Sequence, residues 1–521
     1  VPRYLILFLL LLAVPRAEAQ PAPLADLDAY VEAGMAEWGI PGLALAVVRG
    51  EEVVYARGYG LRRLGLPEPV DEQTLFGVAS TTKAMTATAL AMLVDEGRLA
   101  WDTRVADVLP GFRLSDPWAT EQVTLRDLLS HRVGVGRITG NRIQFMTHRP
   151  RAEVLYRMRY HTFEQPFRAG YVYSNVMYMA AGEIIPAVTG QSWDAFLAER
   201  LFAPAGMTRA NTSITQIAEG ENAAWPHQEI EGEVVAIPRR NFDNVGPAAS
   251  VNASALDMAQ WLRLNLGEPG AVGGRRLVSE AQVREMRQAQ VALPVADPLT
   301  GGLSGYGLGW QLSERNGRRL VSHGGATDGM NTQLVMVPEA DLGVVVLTNT
   351  FNGFMAALAN EVVDRMLGEA RTDWAGLVRA NYLRAYEAAQ ARRDAIEAAR
   401  VPGTSPSLPL AAYAGVYADS LYDRVEVRQE GDALSLRLWE DDTLVADLEH
   451  WHHDTFRAFW RNPALRDKFV WFHLDPDGRP GTLNVEFTLR PVVTQVGIYP
   501  SDYTRVVPFR RPGKPLGLAG G

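Results

Sequence analysis

Ser80 and Lys83 stand three residues apart in the stretch Gly77-Val78-Ala79-Ser80-Thr81-Thr82-Lys83. On a helix, positions three apart share a face, so this spacing sets a hydroxyl beside an amine. A serine is a poor nucleophile until a neighbour takes its proton. A desolvated lysine can give up its own proton and act as that neighbour; arginine cannot. The chain has 51 Lys and Arg residues together, and only Lys83, Lys468 and Lys514 are lysines. One of these lies a turn beyond a serine, in a run from 84 to 94 too apolar for helix surface. The chemistry such a pair offers is acyl transfer through a serine ester. A bare Ser-x-x-Lys is also ordinary solvated helix, so the reading depends on what else the chain supplies.

Two further motifs supply it. Tyr173-Ser174-Asn175 follows the loop-like Phe167-Arg168-Ala169-Gly170 and leads into a predicted helix over 177–188. A tyrosine and an amide two apart on a turn can point into one cleft. His323-Gly324-Gly325 closes a predicted strand, and its glycines would let a substrate backbone approach the strand edge.

In the order Ser-x-x-Lys, Tyr-x-Asn, His-x-Gly, the motifs resemble those of the penicillin-recognising serine hydrolases: class C β-lactamases, DD-peptidases, D-aminopeptidases and related carboxylesterases. The similarity runs over roughly residues 25 to 367 and includes Leu128-Leu129-Ser130-His131, Gly246-Pro247-Ala248 and Tyr306-Gly307-Leu308-Gly309-Trp310. The resemblance implies Ser80 as nucleophile, Lys83 as its base or proton relay, and Tyr173 as general base and later acid. It implies that Asn175 holds the substrate's amide carbonyl and that His323, Gly324 and Gly325 line the opposite wall. The oxyanion hole would be the backbone N–H groups of Ser80 and Ala326. Whether Lys83 or Tyr173 is the base stays open, and cationic charge at Lys83 and His323 would lower the Tyr173 pKa.

One departure shapes the expected activity. β-Lactamases of this superfamily carry Lys-Thr-Gly where this chain has His323-Gly324-Gly325, and a histidine is only partly charged near neutral pH. The histidine looks more like the D-aminopeptidase and archaeal peptidase branch and like some esterases. The expectation is an exported hydrolase working through an acyl-serine, a peptidase or amidase on small linear peptides that include D- or non-standard residues. A carboxylesterase of short acyl esters and a weak β-lactamase are the enzymatic alternatives; an acylated β-lactam sensor or scaffold is the non-enzymatic one. Neither a cofactor nor a metal is expected.

These residues need a scaffold. An amphipathic pattern over 24–38 predicts a helix, Pro41-Gly42 stops it, and 43–48 with 53–57 reads as a hairpin. Predicted strands at 319–322, 333–337 and 342–348 and a helix over 354–367 come near the end of the same region. Strands at both ends with helices between them imply an α+β fold. Its antiparallel sheet would join first strand to last around an inserted helical part, as in the β-lactamase and transpeptidase fold. Residues 20–370 form the expected hydrolase domain, 371–407 a helical connector and linker, and 408–508 a separate all-β domain with period-two alternation. Residues 509–521 form an expected tail.

At 521 residues, 47% hydrophobic and 21% charged, the chain is globular and long enough for two or three domains. A net charge of -9 without a basic block argues against a nucleic-acid partner. The partners expected are a small peptide, amide or ester substrate, and a second copy of the chain meeting the C-terminal domain. The absence of cysteine excludes disulfides, thiol catalysis and Cys-ligated metal. Arg3, the apolar stretch 4–14 and Ala17-Glu18-Ala19 read as a signal peptide over residues 1–19, which predicts a bacterial periplasmic or secreted protein without a stable membrane span. His450, His452 and His453 crowd together, but alternation on a strand is expected to send the last two to opposite faces, against a metal site.

Overall fold

A computed structural model describes residues 22–136, 149–230, 232–293, 302–462, 467–488, 493–494, 497–498 and 504–512. The expected signal peptide and the expected tail from 513 onward lie outside the described residues.

Helix α1 is Leu27–Trp38, and it ends where Gly39 takes the left-handed conformation at φ 61. That turn lets the Ile40 N–H reach back to the Met35 carbonyl at 2.9 Å. Strands β1 (Gly42–Arg49) and β2 (Glu52–Gly60) form the hairpin, and helices α2 (Thr82–Asp95), α3 (Asn175–Thr189) and α4 (Ala255–Asn265) belong to the insertion. The chain then returns through β3 (Val291–Ala292), β4 (Ser304–Tyr306), β5 (Gln311–Arg315), β6 (Arg318–Thr327), β7 (Met330–Val337) and β8 (Leu342–Thr348) before α5 (Phe354–Leu367). The sheet is 8-stranded, in the order β2-β1-β8-β7-β6-β5-β4-β3. Its first and last long strands meet antiparallel, with Leu43 opposite Thr348.

The sheet is covered on both faces, which is why β1 reads as an almost unbroken apolar run. Leu43, Leu45 and Val47 face α1 and α5 in one core cluster; Ala44, Ala46 and Val48 face α2 and α4 in the other. Helix α2 has Thr82 through Leu93 buried, so it is a core helix with no solvent face. Its threonines stay satisfied inside: Thr86 donates to the Pro247 carbonyl at 2.7 Å and Thr88 to Ala84 at 2.9 Å.

The second unit is a closed antiparallel barrel running from Gly415–Asp419 to Thr504–Arg510. Val425, Val427, Leu434, Leu436 and Leu438 are buried in its interior, as their alternation requires. The 25-residue helix α6, Trp374–Ala398, links it to the hydrolase unit. The barrel also docks directly: Arg149 and Arg157 both pair with Asp423, and Arg157 donates to the Ser420 carbonyl at 3.2 Å.

The sequence reading differs from the structure in three places here. The tail expected from residue 509 starts later, because Phe509 and Arg510 pair with Leu483 and Thr482 in the barrel's last strand and Phe509 is buried. Strand β6 does not stop before the glycines, since Gly324 pairs with Gln333 and Gly325 with Thr332 inside the ladder. His452 and His453 are not on opposite faces. The strand Val445–His452 ends at the first, and the second turns off with φ 48, which leaves the two rings 5.5 Å apart. Among the described residues no group of His, Cys, Asp or Glu side chains could hold a metal ion.

Candidate active site

The nucleophile position is built by a strained turn. Val78 N–H bonds the Val251 carbonyl at 2.9 Å, and Ala79 then adopts φ 49, a left-handed conformation that costs a residue with a Cβ about 1–2 kcal/mol. Ser80 follows, at the entry to α2. Strand β6 presses against this turn through Gly325. A Cβ there would run into the Val78 carbonyl oxygen and come within 3.2 Å of the Ser80 nitrogen. The sequence reading gave this glycine to the approach of a substrate. In the structure it admits the backbone of the serine turn.

Lys83 is fully buried, and its Nζ donates to Ser80 Oγ at 3.2 Å, Asn175 Oδ1 at 2.7 Å and the Ala248 carbonyl at 3.0 Å. Three donor bonds match the three protons of an ammonium. The Nζ also sits 4.7 Å from the ring centroid of Tyr173 and 5.3 Å from that of Tyr178. Tyr173 brings its hydroxyl to Ser80 Oγ at 2.8 Å. Ser80, Lys83, Tyr173 and Asn175 therefore form one hydrogen-bonded cluster.

His131, left without a role by the sequence, sets where Tyr173 sits. Its ring lies 4.4 Å from the Tyr173 ring between centroids, and its Nδ1 accepts the Ser174 N–H at 3.0 Å. Its own backbone is left-handed at φ 59, and its carbonyl accepts the Val172 N–H at 2.7 Å. The Asp127 carboxylate braces this loop. Burial alone would raise its pKa, but bonds from Arg168 and Thr124 and the Arg132 charge outweigh burial and hold it below the usual carboxylate range.

His323 lies on the β6 side and is buried. Nδ1 meets the Gly324 carbonyl at 2.6 Å, and Nε2 meets the Tyr306 hydroxyl at 2.9 Å. A carbonyl only accepts, so the ring proton is on Nδ1 and Tyr306 donates to Nε2. Burial, with the Lys83 charge adding to it, pushes His323 down to about 3. The expectation of a partly charged histidine that helps lower the Tyr173 pKa is therefore corrected: the imidazole is neutral at physiological pH. Ala326, the next residue but one after Gly324, is exposed beside the serine turn.

Next to these residues is a shallow cleft, with Gly77, Asn252, Thr327, Met330, Arg239 and Arg240 among its walls. Nothing in the sequence drew attention to Arg239. Nor did it single out the Ala248 carbonyl or Tyr306, although both lie in stretches that carried the resemblance. A backbone acceptor has no side-chain signature, and a packed tyrosine looks the same in sequence whether or not it holds a histidine.

Comparison with known proteins agrees with this geometry. A family model described as Beta-lactamase matches residues 27–365, and one described as Domain of unknown function (DUF3471) matches residues 399–496. The chain is 28% identical over 495 residues to the unguisins hydrolase ungD' of Aspergillus campestris, covering 89% of this chain and 87% of that one. It is 32% identical over 344 residues to penicillin-binding protein 4 of Amycolatopsis lactamdurans, covering 64% of this chain and 86% of that protein. The structure of an octameric penicillin-binding protein homologue from Pyrococcus abyssi superposes with a TM-score of 0.60 at 21% identity, covering 89% of this chain and 98% of the other.

Proposed function

The chain belongs to the beta-lactamase family of serine hydrolases, and from that premise we propose that it hydrolyses amide bonds in small linear peptides, D- or non-standard residues included, through an acyl-serine. The observation that carries this reading is Ser80 Oγ held between the Tyr173 hydroxyl at 2.8 Å and the Lys83 ammonium at 3.2 Å.

In this reading Tyr173 is the base. Lys83, held by Asn175 and the Ala248 carbonyl, is then the fixed cation beside Tyr173 and Ser80. The Tyr173 phenolate takes the Ser80 proton as Oγ bonds to the substrate carbonyl carbon. The oxyanion that forms is bound by the N–H groups of Ser80 and Ala326. Tyr173 then returns the proton to the departing nitrogen, the carbon–nitrogen bond breaks, and the acyl group remains on Oγ. Water repeats the sequence, giving its proton to Tyr173 and releasing the acid. Asn175 has its amide oxygen turned to Lys83 and lies beside Ser80, where the family resemblance has it meet a substrate carbonyl.

A positioned acid is what an amine leaving group needs and an activated ester does not, and this favours amides over esters. The neutral His323 in place of a lysine takes a cation away from the wall that grips a β-lactam's carboxylate, and this favours peptides over β-lactams. A relative whose similarity covers 89% of this chain is itself named a hydrolase. Turnover of D- and L-aminoacyl anilides compared with p-nitrophenyl butyrate, alongside Ser80→Ala, tests the reading; fast ester cleavage with inert anilides would make the protein an esterase. A fluorophosphonate label that stays on Ser80 while no substrate is consumed would make it a sensor. Export is part of the same proposal, and a mature protein beginning at Gln20 outside the cytoplasm is the expected N-terminal sequencing result.

A further inference from the structure

Arg239 is a cation of the cleft that no carboxylate pairs with among the described residues. Its Nε donates to the Ala224 carbonyl at 3.2 Å, and its Nη2 donates to Ala223 at 3.0 Å and Ala224 at 2.9 Å. These bonds fix the guanidinium without neutralising it. Nη1 donates to no acceptor among the described residues, and no carboxylate pairs with Arg239 there. The charge felt most nearby is another cation, Arg63. Both arginines stack on Trp225, at 4.1 Å for Arg63 and 4.9 Å for Arg239, so the aromatic ring holds the two guanidinium planes in place.

The other charges of the cleft are Arg240, Asp328 and Asp243. Asp328 pairs with Arg240 at 3.0 Å. Asp243 spends Oδ2 on the Ser213 hydroxyl at 2.7 Å and the Asn241 amide at 3.1 Å, while its Oδ1 is buried without a partner among the described residues. A half-buried arginine fixed by backbone carbonyls, with one amino group open to the cleft, is in place before any ligand arrives. The cleft walls place it near the chemistry, since Gly77 precedes the serine turn and Thr327 follows Ala326 on β6. A substrate acylating Ser80 and running along β6 would pass from Ala326 over Thr327 into this space.

We propose that the cleft is a subsite for a carboxylate on the substrate, held by Arg239 through Nη1, and that the enzyme selects acidic peptides over neutral ones. The proposal rests on the acyl-serine reading above and adds to it the chemical class of substrate. The carboxylate is either the peptide's C-terminus or an acidic side chain, and both present the same planar acceptor to the guanidinium.

The test uses full-length protein and matched probes: anilides with Glu against Gln, peptides with a free against an amidated C-terminus, and the p-nitrophenyl monoester of glutaric acid against p-nitrophenyl butyrate. In the unmodified protein at least one acidic probe should exceed its neutral partner in kcat/KM by about 10- to 100-fold, the range of one charge-assisted hydrogen bond. The pair that shows the preference identifies the source of the carboxylate. In Arg239→Gln that ratio should fall towards one, in Arg239→Lys it should lie between, and in Arg424→Gln on the barrel it should not change. Absence of acidic preference in the unmodified protein, or a ratio that survives Arg239→Gln, would overturn the subsite. Ser80→Ala separates the two levels. Turnover that persists in it would overturn the acyl-serine reading and the subsite together, whereas Ser80-dependent turnover without acidic preference removes the subsite alone.

Discussion

Tyr173→Phe removes the group placed to carry protons and leaves the ring that stacks on His131. Its kcat/KM on an anilide should fall by about 10²- to 10⁴-fold with little change in thermal midpoint; a loss under tenfold would point to Lys83 as the base. Gly325→Ala is the steric counterpart. The added methyl has only the Val78–Ser80 backbone to displace, so it should cost about 1–3 kcal/mol of stability and slow fluorophosphonate labelling of Ser80, both read on one purified variant. For His323 the folded pKa near 3 lies below the unfolded value of 6.5. The unfolded chain therefore binds the extra proton between those limits, and the stability associated with a neutral ring, present above pH 6.5, is lost as pH falls towards 3. The slope for that single proton is at most about 1.4 kcal/mol per pH unit. Urea midpoints measured from pH 7 to pH 4 should fall less steeply in His323→Gln than in the unmodified protein.

At the scale of elements, α2 is the one that can least tolerate change, because it carries Lys83, follows directly on the turn that holds Ser80 and has no solvent face. Leu90→Ala should cost about 2–5 kcal/mol by calorimetry and lower the fraction of protein that labels at Ser80. The apolar run after Lys83, the hairpin of β1 and β2, and the joining of first strand to last were legible in the sequence, because unbroken apolar runs and period-two alternation report burial directly. The strands β3, β4 and β5 at one end of the sheet were not, since they are short. Ser80, Lys83, Tyr173 and Asn175 could be picked out as side chains with chemistry of their own. His131, the Ala248 carbonyl and Arg239 could not, because each acts through a tertiary contact that no helical or strand spacing encodes. His323 was legible in place but not in charge: its neutrality comes from burial and from Lys83, both of which are tertiary facts.

At the scale of the whole molecule, the barrel is tied to the hydrolase unit through α6 and through the contacts of Arg149 and Arg157 with Asp423. Deleting residues 405–521 should leave Ser80 labelling intact and change the size of peptide accepted or the assembly state, read by a peptide-length series and by light scattering. Loss of all labelling would mean that the two units do not fold separately. Asp423→Ala is the milder form, expected to loosen the barrel's docking without unfolding either core, with new protease cleavage within α6 as the measurement.

The pairing of Leu43 with Thr348 also bears on how the protein is made. Until translation has passed residue 348, β1 has no partner on its inner edge and exposes Leu43, Leu45 and Val47 to whatever is near. Closing so long a loop is slow, so the sheet assembles late and all at once. A ribosome halted before residue 342 would release a sticky fragment, whereas one halted in the linker before the barrel would release a chain already able to complete its catalytic sheet.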